Sequence, residues 1–162
     1  MKRGQPTSAL AEGLRLLSRR PLTEARLRQR LARAFPEEEV ASAVERLKAL
    51  GYLDDRRFAQ MWSQARLEHR PRSRWLVERE LVAQGVPPQV AQEVAQGVND
   101  PALARQCAQQ WAPRLQGLPR ATFLRRLYSY LRRRGFGPSL ARQVALDAWH
   151  YAQKEGPNGK VG

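Results

Sequence analysis

Apolar side chains recur along this chain at spacings of three and four, the period that gathers them on one face of an α-helix. Leu27 and Leu31 form such an i, i+4 pair, as do Val40 and Val44. No segment sustains the alternation of a half-buried strand. The pattern then returns fifty residues on. Leu31, Leu81 and Leu131 match, and so do Leu27, Val77 and Leu127. In the following segment Val40-Ala41, Val90-Ala91 and Leu140-Ala141 correspond, with Val44, Val94 and Val144 four residues after the first member of each pair. Arg20-Pro21 and Arg70-Pro71 also align, with Arg120 in third place. Agreement at this many apolar positions in one register marks a repeated unit that buries the same helical faces against its neighbours.

Start and stop signals divide each repeat into three helices. Thr23 followed by Glu24 suits an N-cap and first turn, and Glu37-Glu38-Glu39 places acid where a helix N-terminus favours it. Gly51, Gly85 and Gly135 each follow a periodic stretch, where a left-handed residue ends a helix, and Pro87 and Pro138 open the next. The segments predicted are Ser8 to Ser18, Thr23 to Ala34, Pro36 to Leu50, Asp55 to His69, Arg72 to Gln84, Pro87 to Gly97, Pro101 to Leu115, Pro119 to Arg134 and Pro138 to Tyr151. The expected fold is all-α, a tandem array of three three-helix units, extended or curved. Its divisions fall at 1–53, 54–99 and 100–151. Residues 152–162 lack apolar periodicity and are expected to form a disordered tail.

Charge sharpens the picture. The 162 residues hold 29 Lys and Arg against 15 Asp and Glu, a net charge of +14, which speaks for a polyanionic partner. Only four of the cations are lysine, so the positive groups are almost all guanidinium, the planar fork suited to phosphate and carboxylate. A high-GC coding sequence would favour the same Arg-for-Lys choice without explaining the net charge. The distribution along the chain is uneven. Residues 1–50 carry 11 basic and 6 acidic side chains, 51–100 carry 7 and 7, and 101–150 carry 9 and 1. On the helix from Pro119 to Arg134, the apolar stripe of Phe123, Leu124, Leu127, Tyr128 and Leu131 leaves Arg125, Arg126, Arg132 and Arg133 projecting elsewhere. With Arg134 they form the candidate polyanion-binding set. Arg70, Arg72 and Arg74 around Pro71 form a second, smaller one. The competing reading is a solvated helix face with cations near a helix C-terminus, and the lack of balancing acid weighs against it.

Candidates for other chemistry are sparse. Asp54-Asp55 has no third ligand or nearby His, so Asp54 is read as the cap of a helix carrying Phe58, Met61 and Trp62, with Asp55 favouring its N-terminal dipole. Tyr52, Leu53 and Phe58 are read as packing residues. Trp62, Trp75, Trp111 and Trp149 could stack on bases, but core packing is the preferred reading. Cys107 is alone, which excludes an intramolecular disulfide, and it too is read as packing. His69 and His150 lack ligand spacing, and no phosphate loop, dinucleotide fingerprint, catalytic triad or zinc spacing occurs. No metal or cofactor is expected, and no catalysis. With no apolar run of ~18 residues and an amphipathic start, no membrane span or signal peptide is expected, and the chain is read as cytoplasmic.

One run of residues carries more than physics. Gly51-Tyr52-Leu53-Asp54-Asp55-Arg56-Arg57-Phe58-Ala59 resembles the junction of the first and second units of the RecX regulatory family. Val77-Glu78-Arg79-Glu80-Leu81 with Gly85-Val86 is similar to that family's second-unit motif, and Leu127-Tyr128-Ser129-Tyr130-Leu131-Arg132-Arg133-Arg134-Gly135-Phe136 to its third. The resemblance covers roughly residues 8 to 151, with one departure: Ser73 stands where a glycine is expected. It implies a monomeric regulator that binds the RecA filament and its single-stranded or filament-bound DNA, inhibits RecA, and acts in homologous recombination, DNA repair and the SOS response. The alternative is a helical nucleic-acid-binding protein that acts without RecA.

Overall fold

The computed structural model describes residues 8–155. Among them the chain forms nine helices and no strand: α1 (Ala9–Arg19), α2 (Glu24–Leu31), α3 (Glu37–Ala49), α4 (Asp55–His69), α5 (Arg74–Ala83), α6 (Pro88–Ala95), α7 (Asp100–Trp111), α8 (Arg120–Arg133) and α9 (Pro138–Glu155). A short 3₁₀ turn, Ala112–Leu115, follows α7. No helix of the described residues is long and apolar enough to cross a membrane.

Side-chain caps explain where several helices begin. Ser8 accepts from the Ala11 N–H (3.1 Å), Thr23 from Arg26 (3.3 Å), Asp54 from Arg57 (3.1 Å), Ser73 from Leu76 (3.2 Å) and Asn99 from Ala102 (3.0 Å). Each satisfies one of the four N–H groups that a helix start leaves without a partner.

Three helix ends differ by three or four residues from those read in the sequence. α2 stops at Leu31, not Ala34, because the N–H groups of Arg33 and Ala34 turn back to carbonyls three residues earlier, and Pro36 disfavours helical backbone at Phe35. α7 gives way to the 3₁₀ turn where Pro113 removes a donor from the ladder. α9 runs to Glu155, whose carboxylate accepts from the Tyr151 hydroxyl (2.5 Å), so 152–155 are helix and not tail. The remainder of the expected tail, 156–162, lies outside the described residues.

The chain divides into two compact units. In described residues, the first takes 8–64 and 78–94 and the second 65–77 and 95–155, so α4, α5 and α6 contribute to both. In the first unit α1, α2 and α3 pack pairwise around Leu16, Leu22, Leu27, Leu31, Val40, Val44, Leu47 and Leu53. In the second α7, α8 and α9 do the same around Ala104, Cys107, Leu115, Phe123, Leu127, Leu131, Phe136 and Val144. All nine fifty-spaced apolar residues from Leu27, Leu31 and Val44 onward are inside or nearly so; Val94 alone is half-buried.

Each unit contains the same joint between successive repeats. In the first, the buried Thr23 hydroxyl caps α2 and also donates to the Gln84 carbonyl at the end of α5 (2.7 Å). In the second, buried Ser73 caps α5 while its N–H donates to the Arg134 carbonyl at the end of α8 (2.9 Å). Ser73 therefore serves as a helix cap where a glycine had been expected, and its backbone is held on both sides. Beside each cap sits a left-handed glycine. Gly85 (φ +95°) closes α5 and Gly135 (φ +88°) closes α8. A Cβ on Gly85 would lie 2.8 Å from Thr23 Oγ1; one on Gly135 would lie 2.4 Å from Ser73 Oγ and 3.1 Å from Leu76 Cβ. The residue after each glycine donates back to the carbonyl five positions earlier, Val86 to Leu81 (3.1 Å) and Phe136 to Leu131 (3.2 Å). Both are buried apolar residues, as a Schellman ending requires.

Gly51 has the same left-handed backbone (φ +77°) but no atom within 4 Å of its would-be Cβ. Gly51→Ala is therefore expected to cost only the backbone term, roughly 1–2 kcal/mol, and Gly135→Ala clearly more. In Gly135→Ala combined with Ser73→Gly, part of the excess is expected to return, because the nearest clashing atom is gone. Denaturant unfolding of the four proteins measures this cycle. Additive losses would show that the two residues do not meet as described.

Candidate polyanion-binding site

The candidate arginines on α8 are positioned by the residues that fill the opposite side of that helix. Phe123, Leu127 and Leu131 are buried, and at 100° per residue they set one stripe. Arg125 and Arg132 lie seven residues apart on the far side, and Arg126 and Arg133 make a parallel pair. All four are exposed. The two members of each pair stand about 10 Å apart along the helix axis, at 1.5 Å per residue. Arg132 is braced, its guanidinium donating to the Phe136 carbonyl (2.8 Å). Between Asp100 and Asp147 the sequence contains no carboxylate, and Asp147 accepts from the Gln143 amide (3.0 Å).

Arg134 stands apart from its neighbours. It falls on the buried stripe, is half-buried, and stacks its guanidinium over Tyr130 at 5.3 Å. Tyr130 lies parallel to Trp111, with centroids 4.4 Å apart and planes within 4°, and Arg114 covers the other face of Trp111 at 4.7 Å. Two cations thus sandwich two rings, an arrangement that fixes Arg134 by cation–π attraction. The run Arg132-Arg133-Arg134 hides this difference until each residue is placed by its helical angle.

Of the smaller cluster, Arg70 and Arg74 are exposed and Arg72 is not. Arg72 is 7% exposed, with its Nε donating to the Arg70 carbonyl (2.9 Å), so the surface set is corrected to leave it out. Arg74 starts α5, where its N–H is held by Asp100 Oδ1 (2.7 Å) and its guanidinium reaches the Val98 carbonyl (3.4 Å).

Leu53 is buried and Phe58 half-buried, but Tyr52 is 59% exposed, which corrects the reading of it as a packing residue. Trp75 is likewise corrected, at 55% exposed. Asp54 caps α4, and Asp55 accepts from the Glu24 N–H at the start of α2 (2.9 Å). Asp100 makes the same bond to Arg74 in the second unit. Burial pushes the Asp55 carboxyl above its usual range, against the lowering effect of that bond. Cys107 is fully buried with its thiol against the Pro71 carbonyl (3.5 Å), and burial pushes its pKa up, away from the reactive thiolate.

Comparison with known proteins places these features in a family. Residues 9–47 match the RecX first three-helix domain and residues 54–94 the RecX second three-helix domain. The chain is 36% identical to the "Regulatory protein RecX" of Thermus thermophilus over 156 residues, covering 95% of this chain and 99% of that one. It is 37% identical to the protein of the same name from Mycobacterium avium over 138 residues, 82% of this chain and 80% of the other. Among solved structures, RecX from Lactobacillus salivarius superposes with a TM-score of 0.78 at 14% identity, over 88% of this chain and 95% of that one. A second structure titled regulatory protein RecX gives 0.71 at 18% identity, over 84% and 69%. At these identities the two superpositions show a shared fold.

Two outcomes follow for the residues described. A carboxyl with a higher pKa folded than unfolded stabilises the fold below its unfolded pKa, and that contribution is lost as pH rises through the folded pKa. Asp55→Asn keeps an acceptor for Glu24 without the charge. It is expected to gain stability over the parent near neutral pH and to lose that advantage near pH ~3, below the ordinary carboxylate range. A difference independent of pH, in denaturant titrations at both conditions, would contradict the burial effect. Separately, reversing Arg125, Arg126, Arg132 and Arg133 to Glu is expected to weaken binding to DNA by at least about tenfold while circular dichroism shows unchanged helix content, because all four side chains are exposed and only Arg132 gives up a hydrogen bond, the one to the Phe136 carbonyl. Unchanged affinity would mark the face as merely solvated.

Proposed function

The chain belongs to the RecX family of regulatory proteins, and from that membership we propose that it binds the RecA–DNA filament and restrains filament extension, ATP hydrolysis and strand exchange. The observation that carries the proposal is the exposed arginine face of α8, opposite a buried apolar stripe and in a stretch without carboxylates. A nucleoprotein filament offers phosphate, and guanidinium pairs two turns apart suit repeated phosphate contacts. Arg70 and Arg74 extend the cationic surface of the second unit. In this reading the repeats at 1–53, 54–99 and 100–151 act together on one filament as a monomer.

On this reading the protein acts by binding. Its adjacent carboxylates Asp54 and Asp55 are both engaged by backbone N–H groups, and its one thiol is buried. Neither arrangement leaves an activated nucleophile or an acid–base pair.

DNA-dependent ATP hydrolysis by the cognate RecA, measured with sub-stoichiometric amounts of this protein, tests the reading. Inhibition well beyond a one-to-one ratio is expected, and charge reversal on α8 is expected to relieve it. Full RecA activity alongside tight binding to bare DNA would replace the proposal with that of a nucleic-acid-binding protein independent of RecA.

A further inference from the structure

The joint between successive repeats has two halves. One is an extended segment ahead of a middle helix, with Leu22-Thr23 or Pro71-Arg72-Ser73 buried and a hydroxyl at its end. The other is the glycine ending of the next repeat's middle helix, Gln84-Gly85-Val86 or Arg134-Gly135-Phe136. In the first repeat the fifty-residue register puts the glycine ending at Ala34-Phe35-Pro36. Phe35 takes the glycine's place, and its backbone is not left-handed. Pro36 takes the place of Val86 and Phe136 and has no N–H to donate five positions back. The Leu31 carbonyl is filled instead by the N–H groups of Ala34 and Phe35, both at 3.0 Å. Phe35 is half-buried against the core of its own repeat. In the third repeat the capping segment falls at Arg120-Ala121-Thr122-Phe123. These residues form the first turn of α8, which starts one turn earlier in the register than α2 and α5. Pro119 before them makes no side-chain cap. Phe123 stands where Thr23 and Ser73 stand, and its ring is core, 2% exposed and edge-on to Trp149 with centroids 5.2 Å apart.

We infer that Phe35 and Phe123 are stops that keep the repeat joint from closing between two copies of this chain. The first repeat of one copy and the third repeat of another hold the two unused halves. Joining them is a head-to-tail contact, which extends without limit into a filament. At Gly85 and Gly135 a bare Cβ would already meet the earlier cap at 2.8 and 2.4 Å, so a ring at this place bars the approach. At the other half, the hydroxyl that caps a helix at Thr23 and Ser73 is replaced by a side chain with no polar atom, enclosed in its own core. Repeat arrays need terminal units that differ from internal ones, and here the difference lies at the joint positions themselves. The inference does not depend on which macromolecule the protein binds.

Sedimentation velocity of the full chain provides the test, on the parent, on Phe35→Gly with Pro36→Val, on Ala121→Pro with Phe123→Ser, and on all these substitutions together. The first pair copies Gly85-Val86, and the second copies Pro71 and Ser73. The parent and each pair alone are expected to sediment as monomers up to the low millimolar range, because each still lacks one half of the joint. An equimolar mixture of the two pairs is expected to double the sedimenting mass. The combined variant is expected to form chains that lengthen with concentration. Circular dichroism reports whether helix content is kept. A mixture and a combined variant that keep the parent's helix content and stay monomeric would overturn the inference. Chain growth by the parent would overturn it as well, as would chain growth by Phe35→Gly with Pro36→Val alone, since position 123 would then be no stop. These last two measurements leave Phe123 in place and keep the inference open to refutation if its replacement unfolds the third repeat.

Discussion

The fold depends on a close approach that only glycine permits. At the end of α5 and again at the end of α8, the chain turns left-handed beside the capping hydroxyl of an earlier helix, where a Cβ would collide with Thr23 or Ser73. That approach lets one helix start and another helix end share their hydrogen-bonding needs. The start has N–H groups to satisfy and the end has carbonyls. Thr23 serves both through its hydroxyl; Ser73 does so by dividing the work between hydroxyl and backbone N–H. Asp55 and Asp100 add a second tie at the same helix starts. These polar groups pair with one another within the chain, so the joints can be buried beside apolar cores.

The joints also set the cationic surfaces. In the first unit, Arg26 reaches the Ala83 carbonyl one residue before the shared Gln84, which ties this cation of α2 to the end of α5. In the second, the carbonyl held by Ser73 belongs to Arg134, whose side chain is stacked on Tyr130, itself stacked on Trp111. The end of α8 is thus fixed through backbone and side chain together, and its remaining arginines keep a defined direction. Burying one arginine of a run is what allows its neighbours to face outward in order.

Much of this was legible in the chain. Helices announce themselves by period, caps and glycines, and the fifty-residue repeat survives because each copy buries the same positions, as Leu27, Val77 and Leu127 do at no exposure. What could not be read was which members of a local cluster share a face with the core. Arg72 and Arg134 look like their neighbours in sequence, yet Arg72 is buried with its guanidinium turned to the Arg70 carbonyl, and Arg134 is half-buried over Tyr130. Tyr52 looked like packing because aromatic residues beside Leu53 usually are; the turn at Gly51 directs it outward.

The central claim is that guanidinium groups on α8 carry the engagement of the phosphate-bearing partner. The salt dependence of binding to the RecA–DNA filament tests it most directly, because each phosphate contact contributes about 0.7 to 0.9 to the slope of log affinity against log salt. With about six contacts the parent slope is expected near −5, and replacing Arg125, Arg126, Arg132 and Arg133 by Ala is expected to reduce its magnitude by about three. An identical slope for the two proteins would contradict the account.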